Sequence, residues 1–233
     1  MIEFYTNKNY RSYLAYKVDK HMGKYDDSFK LKIFDNNIFN CSHTLNNRIK
    51  LIKINDLDIK IIEVENIYNN PYAIRNLIKE TPHVLNRQVN TSAYPGFVSS
   101  LNYVDLTDLE SILNNIISKY YKDIKFKNKI EKMSFSTGIY NRSMICSENQ
   151  QLLTHKDFDN GIAGVIYFNT EDEYDGGTSF HYDEKENYKL AYLHKMKFNT
   201  MILYPSDTYH SIFIENSDSF IETYRITQRF FIR

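Results

Sequence analysis

The chain is poor in residues that cross-link, interrupt or anchor a polypeptide. Of its 233 residues, two are cysteine, four proline and seven glycine, and none is tryptophan. Cys41 and Cys146 are too few for the disulfide framework of a small secreted protein. No apolar run approaches the ~20 residues that cross a membrane, and residues 1–4 do not begin a signal peptide, since no basic region precedes an apolar stretch. We therefore expect a cytoplasmic protein with reduced thiols and no membrane partner.

Charge of neither sign is in excess. The sequence has 29 basic and 29 acidic residues, so its formal net charge is zero. Proteins that bind nucleic acid usually present a net basic surface, so we expect no nucleic-acid partner, with a local basic patch as the open alternative. Hydrophobic residues make up 42% of the chain, which is enough for a sizeable core. We expect one domain over residues 1–233 rather than two small ones.

Short apolar or alternating stretches predict β-strands along much of the chain. The predicted strands cover residues 30–34, 49–54, 59–64, 133–139, 161–169, 201–204, 208–214 and 225–233. Turn-forming residues separate many of them at close spacing, which is typical of a sandwich or barrel. Residues 1–58 carry no recognisable chemistry, and we expect an N-terminal extension that serves as a lid, an edge or a contact surface.

Two helices are predicted before the strand-rich part. Asn70 suits an N-cap and Pro71 the first helical position, and Pro82 stops this helix. Thr107 and Glu110 have the spacing of a capping box, and apolar residues follow at helical intervals. We expect the second helix to cover one outer face of the β core.

Three residues have the types and the order of a metal-binding set. His155 and Asp157 are two positions apart, so on a strand their side chains share a face and Lys156 is turned away. His210 lies in a later β-like run, which can bring a third ligand across a sheet. Two histidines and one carboxylate on one side of an ion leave its other positions open, as in the facial triad of non-haem Fe(II) oxygenases. We interpret these three residues as metal ligands and as the catalytic centre.

Further motifs follow this set in a fixed order. The run Gly-Gly-Thr-Ser-Phe occupies residues 176–180, and Arg225 and the aromatic Phe231 follow His210. The ordered set resembles the Fe(II)/2-oxoglutarate-dependent dioxygenases, in particular their prolyl-4-hydroxylase-like branch, in which the glycine motif is one residue longer. The resemblance covers about residues 130–233 and implies a double-stranded β-helix, a jelly-roll or cupin-like core. We therefore expect an α+β, mainly β, protein with helices flanking that core.

A second His-X-Asp pair, His181 and Asp183, competes with the first. The jelly-roll implied by the resemblance needs several strands between its ligand pair and its distal histidine. The interval before His210 fits this requirement better from His155 and Asp157 than from His181 and Asp183, so we favour the first pair. The other histidines show no ligand spacing and are interpreted as surface or structural residues: His21, His43, His83 and His194.

The resemblance also implies the partners of the site, namely Fe(II), a 2-oxoglutarate co-substrate and O2. Arg225 would bind the distal carboxylate of 2-oxoglutarate in a bidentate manner, with Arg229 as the reserve choice. Thr178 would add a hydrogen bond to this carboxylate. Tyr140, on the strand before the first ligand pair, is a further candidate for the same contact.

The expected reaction is hydroxylation of an unactivated C–H bond, with succinate and CO2 as co-products. Related halogenases replace the ligand carboxylate with a small residue, so Asp157 favours hydroxylation. The substrate class implied is an amino acid, a peptide or another small molecule, and the oligomeric state stays open. Two alternatives are a non-catalytic, cupin-like metal-binding module or sensor, and a structural or interaction protein that kept the fold. Arg225 argues against the first, since a bare metal site needs no co-substrate anchor, and the intact ligand set argues against the second.

Overall fold

The computed structural model describes residues 36–42, 48–54, 57–80, 84–85, 96–100, 106–122, 133–140, 154–185, 187–216, 218–220 and 222–232. The strands within these residues are β1 (Ile49–Ile54), β2 (Ile59–Glu65), β3 (Val84–Leu85), β4 (Phe97–Ser100), β5 (Met133–Tyr140), β6 (Ile162–Tyr167), β7 (Gly177–Glu184), β8 (Asn187–Lys195), β9 (Thr200–Pro205), β10 (His210–Phe213) and β11 (Arg225–Ile232). The α-helices are α1 (Pro71–Glu80) and α2 (Thr107–Tyr120), and short 3-10 helices lie at Asn36–Phe39 and Glu171–Glu173.

The strands form two antiparallel sheets. The larger has the order β1-β2-β9-β6-β11-β5-β4-β3, and the smaller has the order β10-β7-β8. An isolated bridge between His155 and His210 adds one more segment beside β10. From β5 onward the chain therefore passes between the larger sheet (β5, β6, β9, β11) and the smaller one (His155, β7 with β8, β10). This winding is that of a double-stranded β-helix, so the predicted mainly β fold with a jelly-roll core is confirmed.

The larger sheet is covered on both faces, which explains why β6 reads as a continuous apolar run. All six residues of β6 are buried. Ile162 and Ile166 pack with the helices in one hydrophobic cluster. Val165 and Tyr167, on the opposite face, pack in a second cluster with Phe180 of the smaller sheet. This second cluster lies between the two sheets, and we call the surface that encloses it the inner face.

The first helix begins as predicted, but the N-terminal cap of the second does not. In α1 the Asn70 side-chain oxygen accepts a hydrogen bond from the Ala73 amide at 3.4 Å. In α2 the N-cap is Leu106, and no side-chain cap hydrogen bond forms there. The capping-box prediction was wrong because Thr107 is already helical. Leu106 is buried in the core and its carbonyl accepts the Glu110 amide at 2.9 Å, so apolar packing sets the entry of this helix.

Part of the predicted N-terminal extension belongs to the sheet. Strand β1 pairs with β2 over its whole length, and β2 in turn pairs with β9. Among the described strands β1 is thus one edge of the larger sheet. The predicted strand at residues 30–34 lies outside the described residues. A single domain over residues 1–233 and the cytoplasmic location both stay predictions. None of the described helices is long and apolar enough to cross a membrane.

Candidate metal centre

His155 and His210 are brought together by their own backbones. The His155 amide donates to the His210 carbonyl at 3.0 Å, and the His210 amide donates to the His155 carbonyl at 2.9 Å. The two imidazole ring centroids are 4.5 Å apart. The predicted strand around His155 is reduced to this single bridge, while His210 lies in a strand as expected, although β10 begins at His210 and not at residue 208. The bridge therefore places the two residues side by side on neighbouring segments.

Asp157 completes the cluster from the segment after the bridge. Its amide donates to the Ser206 carbonyl at 3.0 Å, which holds the segment against the turn after β9. One carboxylate oxygen lies 3.6 Å from Nε2 of His155, and the other lies 3.4 Å from Nε2 of His210. Among the described residues, these three are the group whose candidate ligand atoms all lie within 4.8 Å of one another.

A backbone contact fixes the tautomer of His210. Its Nδ1 lies 2.9 Å from the Thr208 carbonyl oxygen, which can only accept a hydrogen bond. Nδ1 therefore carries the hydrogen, and the lone pair of Nε2 faces Asp157. Burial lowers the pKa of His210 to about 4 against the opposing effect of the Asp157 carboxylate. The ring is thus neutral at physiological pH, which is the form that binds a metal ion.

The residues present fit a divalent transition metal. The Oδ2 atom of Asp157 is buried and has no hydrogen-bond partner among the described residues. A buried carboxylate oxygen without a partner is costly, and a cation would satisfy it. Two ligand atoms bound about 2 Å from one ion at right angles lie about 3 Å apart, close to the separations of 3.4 and 3.6 Å seen here. Two imidazoles and one carboxylate are the donor set of non-haem Fe(II) sites.

Arg225 begins β11 of the larger sheet and is buried on the inner face. It lies against the end of the smaller sheet that is farther from His210. It is 5% exposed and lies directly opposite Tyr140 in the pairing of β11 with β5. Its Nη2 donates to the Gly177 carbonyl at 3.3 Å. His210 pairs with Phe180, three residues along β7 from Gly177. Arg225 and the candidate ligands therefore lie at two levels of the fold, about 10 Å apart along the strand direction of β7.

Thr178 lies at the same level as Arg225 and is hydrogen bonded to Tyr167, a residue that the sequence did not single out. Its Oγ1 lies 2.6 Å from the Tyr167 hydroxyl, and both residues are buried. The guanidinium carbon of Arg225 lies 5.5 Å from the centre of the Tyr167 ring. Burial raises the pKa of Tyr167 to about 12, so its hydroxyl keeps its proton. One indication of this position is present in the sequence: in the apolar run of β6, Tyr167 is two residues from Val165 and so lies on the same face of the strand.

Arg229 and His181, the alternatives considered for the anchor and for a metal ligand, lie outside the positions of Arg225 and the candidate ligands. Arg229 shares the inner face of β11 with Arg225 but is half-buried and pairs with Val165. His181 is not part of the metal cluster: its Nε2 lies 2.9 Å from the Ser179 hydroxyl, and burial lowers its pKa. A bulge in the pairing of β7 with β8 follows Phe180, and His181 lies beyond it. His21, His43 and His83 lie outside the described residues.

No protein-family model and no curated protein sequence matches the chain. Among solved structures, it is similar to a prolyl 4-hydroxylase of Phytophthora capsici, with 11% identity, coverage of 74% of this chain and 58% of that chain, and a TM-score of 0.44. A prolyl-4-hydroxylase of Pseudomonas putida gives 11% identity, 69% and 80% coverage, and a TM-score of 0.42. The non-haem α-ketoglutarate-dependent carbocyclase SnoK of nogalamycin biosynthesis gives 9% identity, coverage of 74% of this chain and 78% of that chain, and a TM-score of 0.48. All three TM-scores are below 0.5, and the jelly-roll assignment rests on the strand order of the two sheets.

Proposed function

We propose that this chain is an Fe(II)- and 2-oxoglutarate-dependent oxygenase that hydroxylates a C–H bond of an amino acid, a peptide or a small molecule. One observation carries the proposal. The three candidate ligands, His155, Asp157 and His210, lie at one level of the jelly-roll. The buried Arg225 lies at another level, about 10 Å away along the strands. The five-carbon chain of 2-oxoglutarate, chelated to a metal at one end, spans a separation of this order.

Each residue then has a defined task. His155, Asp157 and His210 would hold Fe(II) from one side and leave its opposite positions open. The Arg225 guanidinium would bind the distal carboxylate of 2-oxoglutarate, with the Thr178 hydroxyl beside it. When bound, Fe(II), 2-oxoglutarate and O2 would supply the oxidising chemistry, and succinate and CO2 would be the co-products.

Apolar side chains would keep water away from the inner side of the metal. The rings of Tyr204 and His210 are 4.9 Å apart, and the rings of Phe180 and Tyr204 are 5.0 Å apart. Phe180 is fully buried and Tyr204 is 5% exposed. This wall strengthens the electrostatic interactions inside the site and shields reactive species from solvent.

The proposal is tested by the consumption of 2-oxoglutarate and the formation of succinate in the presence of Fe(II) and O2. We expect His155→Ala and Asp157→Ala each to abolish turnover while the chain stays folded, because each removes one of three ligands. Lys156→Ala is the matched control: Lys156 lies between the two ligands, is exposed, and packs over the Tyr209 ring at 4.4 Å. It should turn over like the wild type. Unchanged turnover in either ligand variant would contradict the assigned centre.

A further inference from the structure

A row of aromatic rings runs from the candidate ligand His210 towards the edge of the smaller sheet. The ring centroids of His210 and Tyr204 are 4.9 Å apart, and those of Tyr204 and Phe180 are 5.0 Å apart. The ring of Tyr192 follows, with its centroid 6.4 Å from that of Phe180. All three distances lie in the range of packed aromatic pairs. The row therefore connects the candidate metal centre with β8.

The two tyrosines of the row differ in their access to solvent. Tyr204 is 5% exposed and Phe180 is fully buried. Tyr192 is only partly buried and lies on β8, which among the described strands is an edge of the smaller sheet. Burial raises the pKa of Tyr192, and the Glu63 carboxylate acts in the same direction, so its hydroxyl keeps its proton. The row thus begins beside the metal site and ends at a phenol that a dissolved reductant can reach.

The residue types of the row suit the transfer of electrons. A phenol can give up one hydrogen atom, that is one electron and one proton, and become a neutral phenoxyl radical. The benzene ring of Phe180 resists oxidation, so it can only serve as the contact that an electron crosses between the tyrosines. Fe(II), 2-oxoglutarate and O2 would together supply an oxidant that a bound substrate consumes. When no substrate is bound, another hydrogen donor has to consume it.

We propose that Tyr204 and Tyr192 form a relay that removes oxidising equivalents from the metal centre when no substrate is bound, with Phe180 as the contact between them. The inference rests on the proposed function. In one such turnover, 2-oxoglutarate and O2 yield succinate, CO2 and one molecule of water. The water contains the oxygen atom that a substrate would have received and two hydrogen atoms, one from each tyrosine hydroxyl. Two phenoxyl radicals remain, and a reductant such as ascorbate returns two electrons through Tyr192 while solvent returns two protons.

The relay is tested with the Fe(II)-loaded protein, 2-oxoglutarate and O2 in the absence of substrate. Samples frozen at short times are examined by electron paramagnetic resonance, and ring-deuterated tyrosine identifies a tyrosyl signal by narrowing it. Succinate is measured in the same samples, and the visible band of the anaerobic 2-oxoglutarate complex shows whether each variant keeps its metal site. Tyr204→Phe and Tyr192→Phe each remove one hydroxyl and keep the ring.

Tyr188→Phe is the matched control for these variants. Tyr188 is an exposed tyrosine of the same strand as Tyr192, and its ring packs against Tyr209, which is not in the row. We expect a tyrosyl signal in the wild type and in this control, and ascorbate should remove it. Tyr204→Phe should lose the signal, because the oxidant then has no phenol beside it. Tyr192→Phe should keep a signal that ascorbate removes much more slowly, since the radical on Tyr204 is buried.

Contrary results separate the relay from the proposed function. Succinate without a tyrosyl signal, or a signal that Tyr204→Phe leaves unchanged, would overturn the relay and leave the proposed function standing. A 2-oxoglutarate band without succinate formation in the absence of substrate would also overturn the relay, because no oxidant then has to be removed. Bound Fe(II) with neither the band nor succinate would contradict the proposed function itself, and the relay with it.

Discussion

His210 shows how the fold controls the chemistry of a single side chain. The Thr208 carbonyl fixes its tautomer, and burial keeps its ring neutral. Both effects leave Nε2 with a free lone pair, which is the form of the ring that can bind a metal ion. Neither could be predicted from the sequence, where His210 is only a histidine in a strand-like run. They depend on the local backbone conformation between Thr208 and His210 and on the packing that buries the ring.

The depressed pKa of His210 has a measurable consequence in the metal-free protein. A folded-state pKa of about 4, below the unfolded value of about 6.5, means that the unfolded state binds the proton first. The contribution of His210 to the free energy of unfolding is fully present above pH 6.5. It is lost as the pH falls towards 4, and the loss between pH 7 and pH 4 is about 3 kcal/mol. We expect His210→Asn to lack this part of the decline, measured as the free energy of unfolding in urea at both pH values. Parallel declines in the two proteins would contradict it.

At the scale of elements, strands with a covered apolar face were predictable and the exposed hairpin was not. The predictions of β6, β9 and β11 are confirmed. These strands were predictable because most of their apolar residues are buried in the sheet and so form apolar runs in the sequence. No strand was predicted at Asn187–Lys195, where β8 lies, because most of its residues are exposed and give no apolar pattern. Backbone pairing with β7 makes it a strand.

The packing of β6 against β11 predicts a sharp effect at Gly164. A Cβ at this position would overlap the ring of Phe230, which is fully buried, and would lie 2.9 Å from Leu203. We expect Gly164→Ala to lower the free energy of unfolding by about 1–3 kcal/mol through overpacking. Urea unfolding measures this loss. In the Phe230→Leu background the same substitution should cost less, because the smaller side chain leaves room. An equal cost in both backgrounds would place the strain elsewhere.

At the scale of the whole molecule, the winding of the chain between two sheets brings distant motifs into one site. The sequence order of His155, Asp157, His210 and Arg225 was sufficient to predict the fold and the candidate ligands. The spacing of the motifs could not predict which inner side chains surround Arg225. Tyr167 is one of these, and its neighbours are set by the register of strands far apart in the sequence.

Metal binding should stabilise the whole fold, because the ligands come from segments that unfolding separates. At a metal concentration 100 times the dissociation constant the gain is about 2.7 kcal/mol. For a chain of this size that corresponds to a rise of about 5–10 °C in the thermal midpoint. We expect Mn(II), as a redox-stable substitute, to produce this shift in the wild type and not in Asp157→Ala. A shift of the same size in the variant would place the metal at another site.

The central claim is that one jelly-roll holds both a metal and the distal carboxylate of 2-oxoglutarate. The most direct test is anaerobic titration of the Fe(II)-loaded protein with 2-oxoglutarate, following the weak visible charge-transfer band of the chelate. We expect the band in the wild type and, in Arg225→Ala, only at much higher 2-oxoglutarate concentrations with Fe(II) still bound, because that variant loses the buried carboxylate anchor. Arg229→Ala should resemble the wild type, and the reverse result would make Arg229 the anchor. Bound Fe(II) without any band would contradict the oxygenase and favour the cupin-like metal-binding module.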